Sequence, residues 1–124
     1  MYLKPVTPQD FHQIFSWYER RNLAHPPFEL YPPRGFIVTG VAAGFLIKTD
    51  CNIAFLEHFI SNPDRSKEHR ADALDKIAER LIEACRVTGV IAIYALTDHP
   101  SIEGLTEKYG FKKAPDKKIW VKVR

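Results

Sequence analysis

One segment limits the folds open to this chain more than any other. From Ser66 to Thr88 apolar residues recur at Leu74, Ile77, Ala78, Leu81, Ile82 and Cys85, a stripe along one face of a helix of about six turns. Gly89 closes it as a C-cap. Ile53 to Ile60, ahead of it, reads as a strand. Val90-Ile91-Ala92-Ile93-Tyr94-Ala95-Leu96, behind it, is nearly all apolar, the composition of a strand buried on both faces. Such an order places two parallel strands in one sheet through a right-handed crossover.

Around this unit the remaining elements fall into place. Tyr2 to Val6 is a short strand that Pro5 confines to an edge or an end. Thr7 is an N-cap and Pro8 a first helical residue, and Phe11, Ile14, Phe15 and Tyr18 then follow at helical spacing, predicting a helix over 8–21. Pro26-Pro27 and Pro32-Pro33 exclude a regular helix or a central strand over 22–35. That loop is expected to be ordered, to pack its aromatics Phe28 and Tyr31 onto a neighbour, and to supply the lip that selects a substrate. Gly35 to Gly40 reads as a strand bounded by glycines, Gly44 to Lys48 as a second, and Ile53 to Ile60 as the third of an antiparallel meander. Asp98-His99-Pro100 starts a short helix that Gly110 ends, and Phe111 and Ile119 to Val123 give one or two last strands. The fold class is therefore α/β, an α+β mixed sheet with helices on its faces.

At 124 residues the chain is long enough for one core, so a single domain over 1–124 is expected. No apolar run reaches the roughly 20 residues a bilayer crossing needs, and no apolar stretch of signal-peptide length opens the chain, so a cytoplasmic protein that does not enter membranes is expected. Cys51 and Cys85 lack metal-site spacing and are too few for a disulfide scaffold. Both are expected to be reduced and structural. The five histidines show no metal spacing, so no metal is expected. The last 13 residues carry six basic side chains against Asp116, a charge of +5, which leaves −2 on the first 111. A basic tail suits an anionic partner, nucleic acid among them. Lysines along a solvated strand edge also explain it and are the preferred reading.

Two parallel strands that diverge open a crevice at their carboxyl ends, where ligands of such sheets bind. Here it falls between Phe59-Ile60 and Leu96-Thr97. The start of the long helix points to the same edge, and its free N–H groups favour an anion. Arg65, Lys67, His69 and Arg70 surround that start and could hold a pyrophosphate or a 3′-phosphate; the alternative is a set of solvated cations.

The order of elements, and the ending Glu107-Lys108-Tyr109-Gly110-Phe111, resemble the cofactor-binding half of the GCN5-related N-acetyltransferases, the GNAT superfamily. The family's pyrophosphate loop is similar to Arg/Gln-x-x-Gly-x-Gly/Ala with a core leucine soon after. With that leucine on Leu74, Ala71 takes the last Gly/Ala, His69 the first Gly and Ser66 the Arg/Gln, with Arg65 one residue away. Ser66-Lys67-Glu68-His69-Arg70 contains no glycine. In the second signature, Leu105, Glu107, Lys108, Gly110 and Phe111 match, while Thr106 stands at the general-acid tyrosine and His99 at the asparagine. Tyr109 falls on a position usually apolar, so a core role is expected.

The resemblance implies an acetyl-CoA-dependent N-acyltransferase acting on a small-molecule or protein amine. Residues Arg65, Ser66, Lys67, His69, Arg70 and Ala71 would hold the pyrophosphate, backbone amides near Phe59 and Ile60 the pantetheine arm, with His99 nearby. Glu57 would be the base, drawing a proton through water. A carboxylate in an apolar strand is costly to bury unless paired or neutral. Strand alternation puts Glu57 on the face of Phe55 and Phe59 with His58 opposite, so only one of Glu57 and His58 can face a given layer. The other reading of Glu57 is an exposed sheet face, or a bulge, with a lysine as partner. The rival for the whole chain is a catalytically inactive GNAT-like domain that binds a protein partner, as compact GNAT-like proteins of bacteriophages do in virions or on the host. Nucleic-acid binding through the basic C-terminal strand is a third option.

Overall fold

Five strands lie side by side in chain order in the computed structural model, which describes residues 2–95, 104, 107–114, 120 and 122. They are β1 (Leu3–Pro5), β2 (Arg34–Val38), β3 (Ala42–Lys48), β4 (Ile53–Ser61) and β5 (Ala92–Ala95). The first four pair antiparallel, and β4 and β5 run parallel from Ile53↔Ala92 to Leu56↔Ala95. This is the mixed sheet that the helical stripe requires. Among the described residues no helix is long and apolar enough to cross a membrane.

The two faces carry separate cores. Helix α2 (Lys67–Val87) lays Ala73, Leu74, Ile77, Leu81 and Cys85 on Val38, Ala42, Leu46, Ala54 and Leu56. Helix α1 (Phe11–Arg20) lays Phe11, Ile14 and Trp17 on Ile37, Ala43, Phe45 and Ile60. Neighbours such as Ile37 and Val38 enter opposite cores, as the pleat demands. Before α1 the chain makes a 3-10 turn at Pro8–Asp10, so the regular helix starts three residues later than the spacing predicts. Buried Asp10 accepts bonds there from the Thr7 N–H (2.7 Å), the Thr7 hydroxyl (3.0 Å) and Lys4 Nζ (2.5 Å). Burial opposes its charge, but these bonds outweigh that and hold its carboxyl below the ordinary range.

Three expectations need correction. Gly35 lies inside β2 and Gly44 inside β3, so these glycines do not bound strands. A Cβ on Gly35 would stand 2.4 Å from the Phe45 ring, and one on Gly44 would stand 2.5 Å from the Phe59 ring. Each glycine is a seat for an aromatic ring of the adjacent strand. The segment around β5 is not buried on both faces: Ile91 is 81% exposed and Tyr94 46%. Its apolar run cannot tell a doubly covered strand from one with an open side. Cys51, expected to be structural, is exposed, whereas Cys85 is buried.

Beyond β5 the description is partial. Gly104, Glu107 and Lys108 are helical, and Gly110 (φ 84°) ends the turn. Tyr109 is not a core residue: it is half-buried, and its hydroxyl donates to Asp75 Oδ1 on α2 (2.6 Å), beside Lys108 Nζ on Asp75 Oδ2 (2.8 Å). Phe111 is in no strand. Leu96, Thr97, the helix start at 98–100, and the strand residues Ile119, Val121 and Val123 lie outside the described residues.

Candidate functional site

The site starts from a fault in one strand. Ala43 pairs with Ile60, but two residues on, Phe45 pairs with Glu57, so β4 spends three steps where β3 spends two. The extra residue is a β-bulge, and His58 takes the left-handed conformation there (φ 58°). Histidine is among the few side chains enriched in that region.

The bulge reverses the expected facing. Opposite Phe45, Glu57 points to the α1 side. The His58 ring lies there too, 4.8 Å from Tyr31 and 6.3 Å from Phe45. Phe59 turns to the other face and packs in the α2 core near Gly44 and Ile77. Glu57 therefore does not share a face with Phe59, and Glu57 and His58 do face one layer. Strict alternation fails wherever a strand gains a residue. A bulge was among the alternatives for Glu57, yet among the described residues no lysine pairs with it.

Two tyrosines complete this wall. Tyr18 comes from α1 and Tyr31 from the proline-rich loop. Burial, first of all, pushes the Tyr31 phenol far above its ordinary value, and the neighbouring Tyr18 adds to the effect. Tyr18 is raised as well, by burial and by the charge of Glu57, with its contact to Tyr31 in opposition. Among the described residues the buried Tyr31 hydroxyl has no hydrogen-bond partner of good geometry. Burial lowers the His58 imidazole, and Glu57 only partly restores it, so His58 is neutral at pH 7. A carboxylate, a neutral imidazole and two protonated phenols thus share one wall. They can accept, relay and donate protons.

The proline-rich loop packs as expected. Phe28 and Tyr31 each meet Phe11 edge-on at 4.9 Å, and His25 stacks on Phe15 at 3.9 Å. Between loop, helix and sheet lies a pocket of about 240 Å³, whose lining includes Phe11, Phe28, Tyr31 and Phe45. Tyr31 and Phe45 thus touch both the pocket and the ring of His58.

At the far end of β4 the basic residues gather. Ser66 caps α2, its hydroxyl accepting from the His69 N–H (3.1 Å). Lys67, His69, Arg70 and Ala71 form the helix's first turns. Arg65 turns away and donates to the Gly40 carbonyl (3.3 Å). Among the described residues the buried Nε of Arg70 has no partner. Arg21, which follows α1, donates to the Ser61 carbonyl (3.1 Å) and hydroxyl (2.8 Å). Burial, and then the charge of Arg70, lowers the Arg21 guanidinium, so the two cations press on each other. An anion would relieve that repulsion. The side chains of Phe59 and Ile60 belong to the two cores, which leaves their backbone for any ligand. His99 lies outside the described residues.

The sequence points to Tyr31 only through its loop, expected to pack its aromatics and to form a lip; it marks neither Tyr18 nor Arg21 for the site, and it sets His58 on the wrong face. Only the adjacent pair Glu57-His58 within an apolar strand signalled a bulge. Nothing local marks Tyr18 and Arg21 for the site, because the fold brings them in from α1 and its end.

No family model matches the sequence, and no curated protein matches it. Solved structures do match in fold. A protein of Agrobacterium tumefaciens, provisionally described as an acetyltransferase, superposes with a TM-score of 0.69 at 17% identity, over 100% of this chain and 99% of its own. A Clostridium acetobutylicum protein described as a predicted acetyltransferase, solved with acetyl-CoA, gives 0.61 at 12% identity, over 99% and 95%. An aminoglycoside acetyltransferase from an uncultured soil sample, solved with sisomicin, gives 0.59 at 11% identity, over 99% and 94%. The chain has the fold of the GNAT acetyltransferases.

Proposed function

We propose that this protein is an acetyl-CoA-dependent N-acyltransferase that acts on an amine. The observation that carries the reading is the bulge in β4, which turns Glu57 and His58 together onto the side of the sheet that holds the pocket. Arg70 and Arg21, with the capped start of α2, suit the phosphates of such a cofactor, because the buried Nε of Arg70 lacks a partner and the two cations repel. Lys67 and His69 stand beside them, while Arg65 is engaged with Gly40. The cofactor supplies the acyl group as a thioester. On the protein's side, Glu57 takes a proton from the amine, directly or through water, so that its nitrogen carries a lone pair. Tyr31 stays protonated, so it is no base, and its hydroxyl can donate a hydrogen bond as well as accept one. The aromatic loop limits water around the amine.

A non-catalytic binding domain is favoured by a different observation, the exposed Ile91, Tyr94 and Trp120. One pair of measurements separates the two. Calorimetry should show acetyl-CoA binding, and Glu57→Gln should keep the fold by circular dichroism while lowering kcat about 100-fold. No acetyl-CoA binding at high micromolar concentration would sink the enzyme reading.

A further inference from the structure

The pocket beside α1 has a chemistry that narrows the acceptor. Its walls are aromatic and proline side chains, among them Phe11, Phe28, Tyr31 and Phe45, and Glu29 is the single charged residue of the lining. Phe11 and Phe28 meet at 81° and Phe11 and Tyr31 at 75°, so ring faces as well as edges border the space. Ring faces are electron-rich and favour a cation, as does a carboxylate. An anionic group would find repulsion from Glu29 and no basic partner in the lining. A hydroxylated sugar would find few polar groups, since Thr7, Glu29 and Tyr31 are the polar side chains there. The volume of about 240 Å³ suits a skeleton near the size of one aromatic ring with a short arm.

We propose that this pocket seats the apolar skeleton of a small primary amine, an arylalkyl or branched alkyl amine without carboxylate or phosphate, and directs its nitrogen past Tyr31 and Phe45 to Glu57 and His58. The inference rests on the acyl-transfer reading and names the acceptor class for it. The site adjoins the pocket through a shared wall: Tyr31 and Phe45, whose rings meet at 5.0 Å, line the pocket, the His58 ring lies 4.8 Å from Tyr31, and Phe45 pairs with Glu57 across the strands.

Phenethylamine, phenylalanine and sisomicin separate the possibilities, each titrated into the intact chain to about 10 mM and followed by nuclear magnetic resonance, a range suited to weak small ligands. Phenethylamine should shift the ring resonances of Phe28 and Tyr31. Phenylalanine, the same skeleton with a carboxylate, should bind roughly tenfold more weakly, and Glu29→Lys should narrow that gap. Phe28→Ala should weaken phenethylamine about tenfold, the loss of one aromatic contact. Phe28 is 49% exposed and Glu29 is exposed, so both variants should fold, which circular dichroism checks. No shift with phenethylamine, or equal or tighter binding of phenylalanine or sisomicin, overturns the proposal. Acetyl-CoA calorimetry run in parallel keeps the two readings apart. Acetyl-CoA binding without phenethylamine binding removes this acceptor class and leaves the transferase. Phenethylamine binding without acetyl-CoA binding leaves an amine pocket and removes acyl transfer.

Discussion

His58 concentrates the strain and the chemistry of this molecule in one residue. Its φ of 58° is uncommon outside glycine, and its ring is held among Tyr31, Phe45 and Glu57. Burial keeps the imidazole below its ordinary pKa, so the unfolded chain takes up a proton on this residue before the folded one does. The sign follows from that order. Stability carried by neutral His58 is full above the unfolded value of about 6.5 and falls as the pH drops from there toward the folded pKa. His58→Asn should keep the bulge, because asparagine tolerates positive φ, and should remove the titration. Urea melts between pH 7 and 5 should then show a shallower loss of stability in the variant than in the parent. An equal slope in the two proteins would place the loss in other groups. A β-branched residue at the same position should cost about 1–3 kcal/mol at every pH, through the backbone alone.

At the scale of elements, much of the fold was legible in the sequence, and the reason is periodicity. The stripe on α2 repeats often enough to fix which face is covered, and the apolar runs of β3 and β4 are long enough to mark them as strands of the core. What periodicity cannot carry is a local exception. The bulge adds one residue to β4 and moves Phe59 to the α2 core, where its ring lies over Gly44 and beside Ile77. Gly44 reads as a strand boundary in the sequence, but its missing Cβ is what admits that ring. Gly44→Ala should therefore cost about 1–3 kcal/mol, the range for an overfilled core, visible as a lower urea midpoint with unchanged slope. Phe59→Ala should also destabilise, by opening a cavity. The double variant should be less damaging than the two losses combined, because the alanine methyl at 44 then enters the space left by the ring. Additive losses would show that the two residues do not share that space.

For the molecule as a whole, the sheet carries two cores and one appended segment. The candidate site draws on both ends of this arrangement: Glu57 and His58 come from the bulge, Tyr18 and Arg21 from the region of α1, and Tyr31 from the end of a 3-10 turn (Phe28–Leu30) in the proline-rich loop. Of the candidate residues, the sequence singles out Glu57, the first turn of α2 and the loop that carries Tyr31, because assembly across distant segments leaves the rest no spacing to read. The segment 107–114 presents the reverse case. Its Glu107-Lys108-Tyr109-Gly110-Phe111 run resembles a family signature, and Tyr109 looked like a core residue, yet it meets α2 through a polar clasp at Asp75. Burial opposes the charge of Asp75, but the bonds from Lys108 and Tyr109 prevail and hold its carboxyl below the ordinary range. Tyr109→Phe removes the 2.6 Å bond and keeps the ring. A single bond to a charged partner is worth about 1.5 kcal/mol, so the segment should open roughly tenfold more often. Amide exchange should report this at Gly110, whose N–H donates to the Glu107 carbonyl (3.1 Å). If the segment opens by itself, exchange in β2, β3 and β4 should not change beyond the few amides under Phe111, which packs against the α2 core. Equal acceleration across the sheet would show instead that clasp and cores open as one cooperative unit.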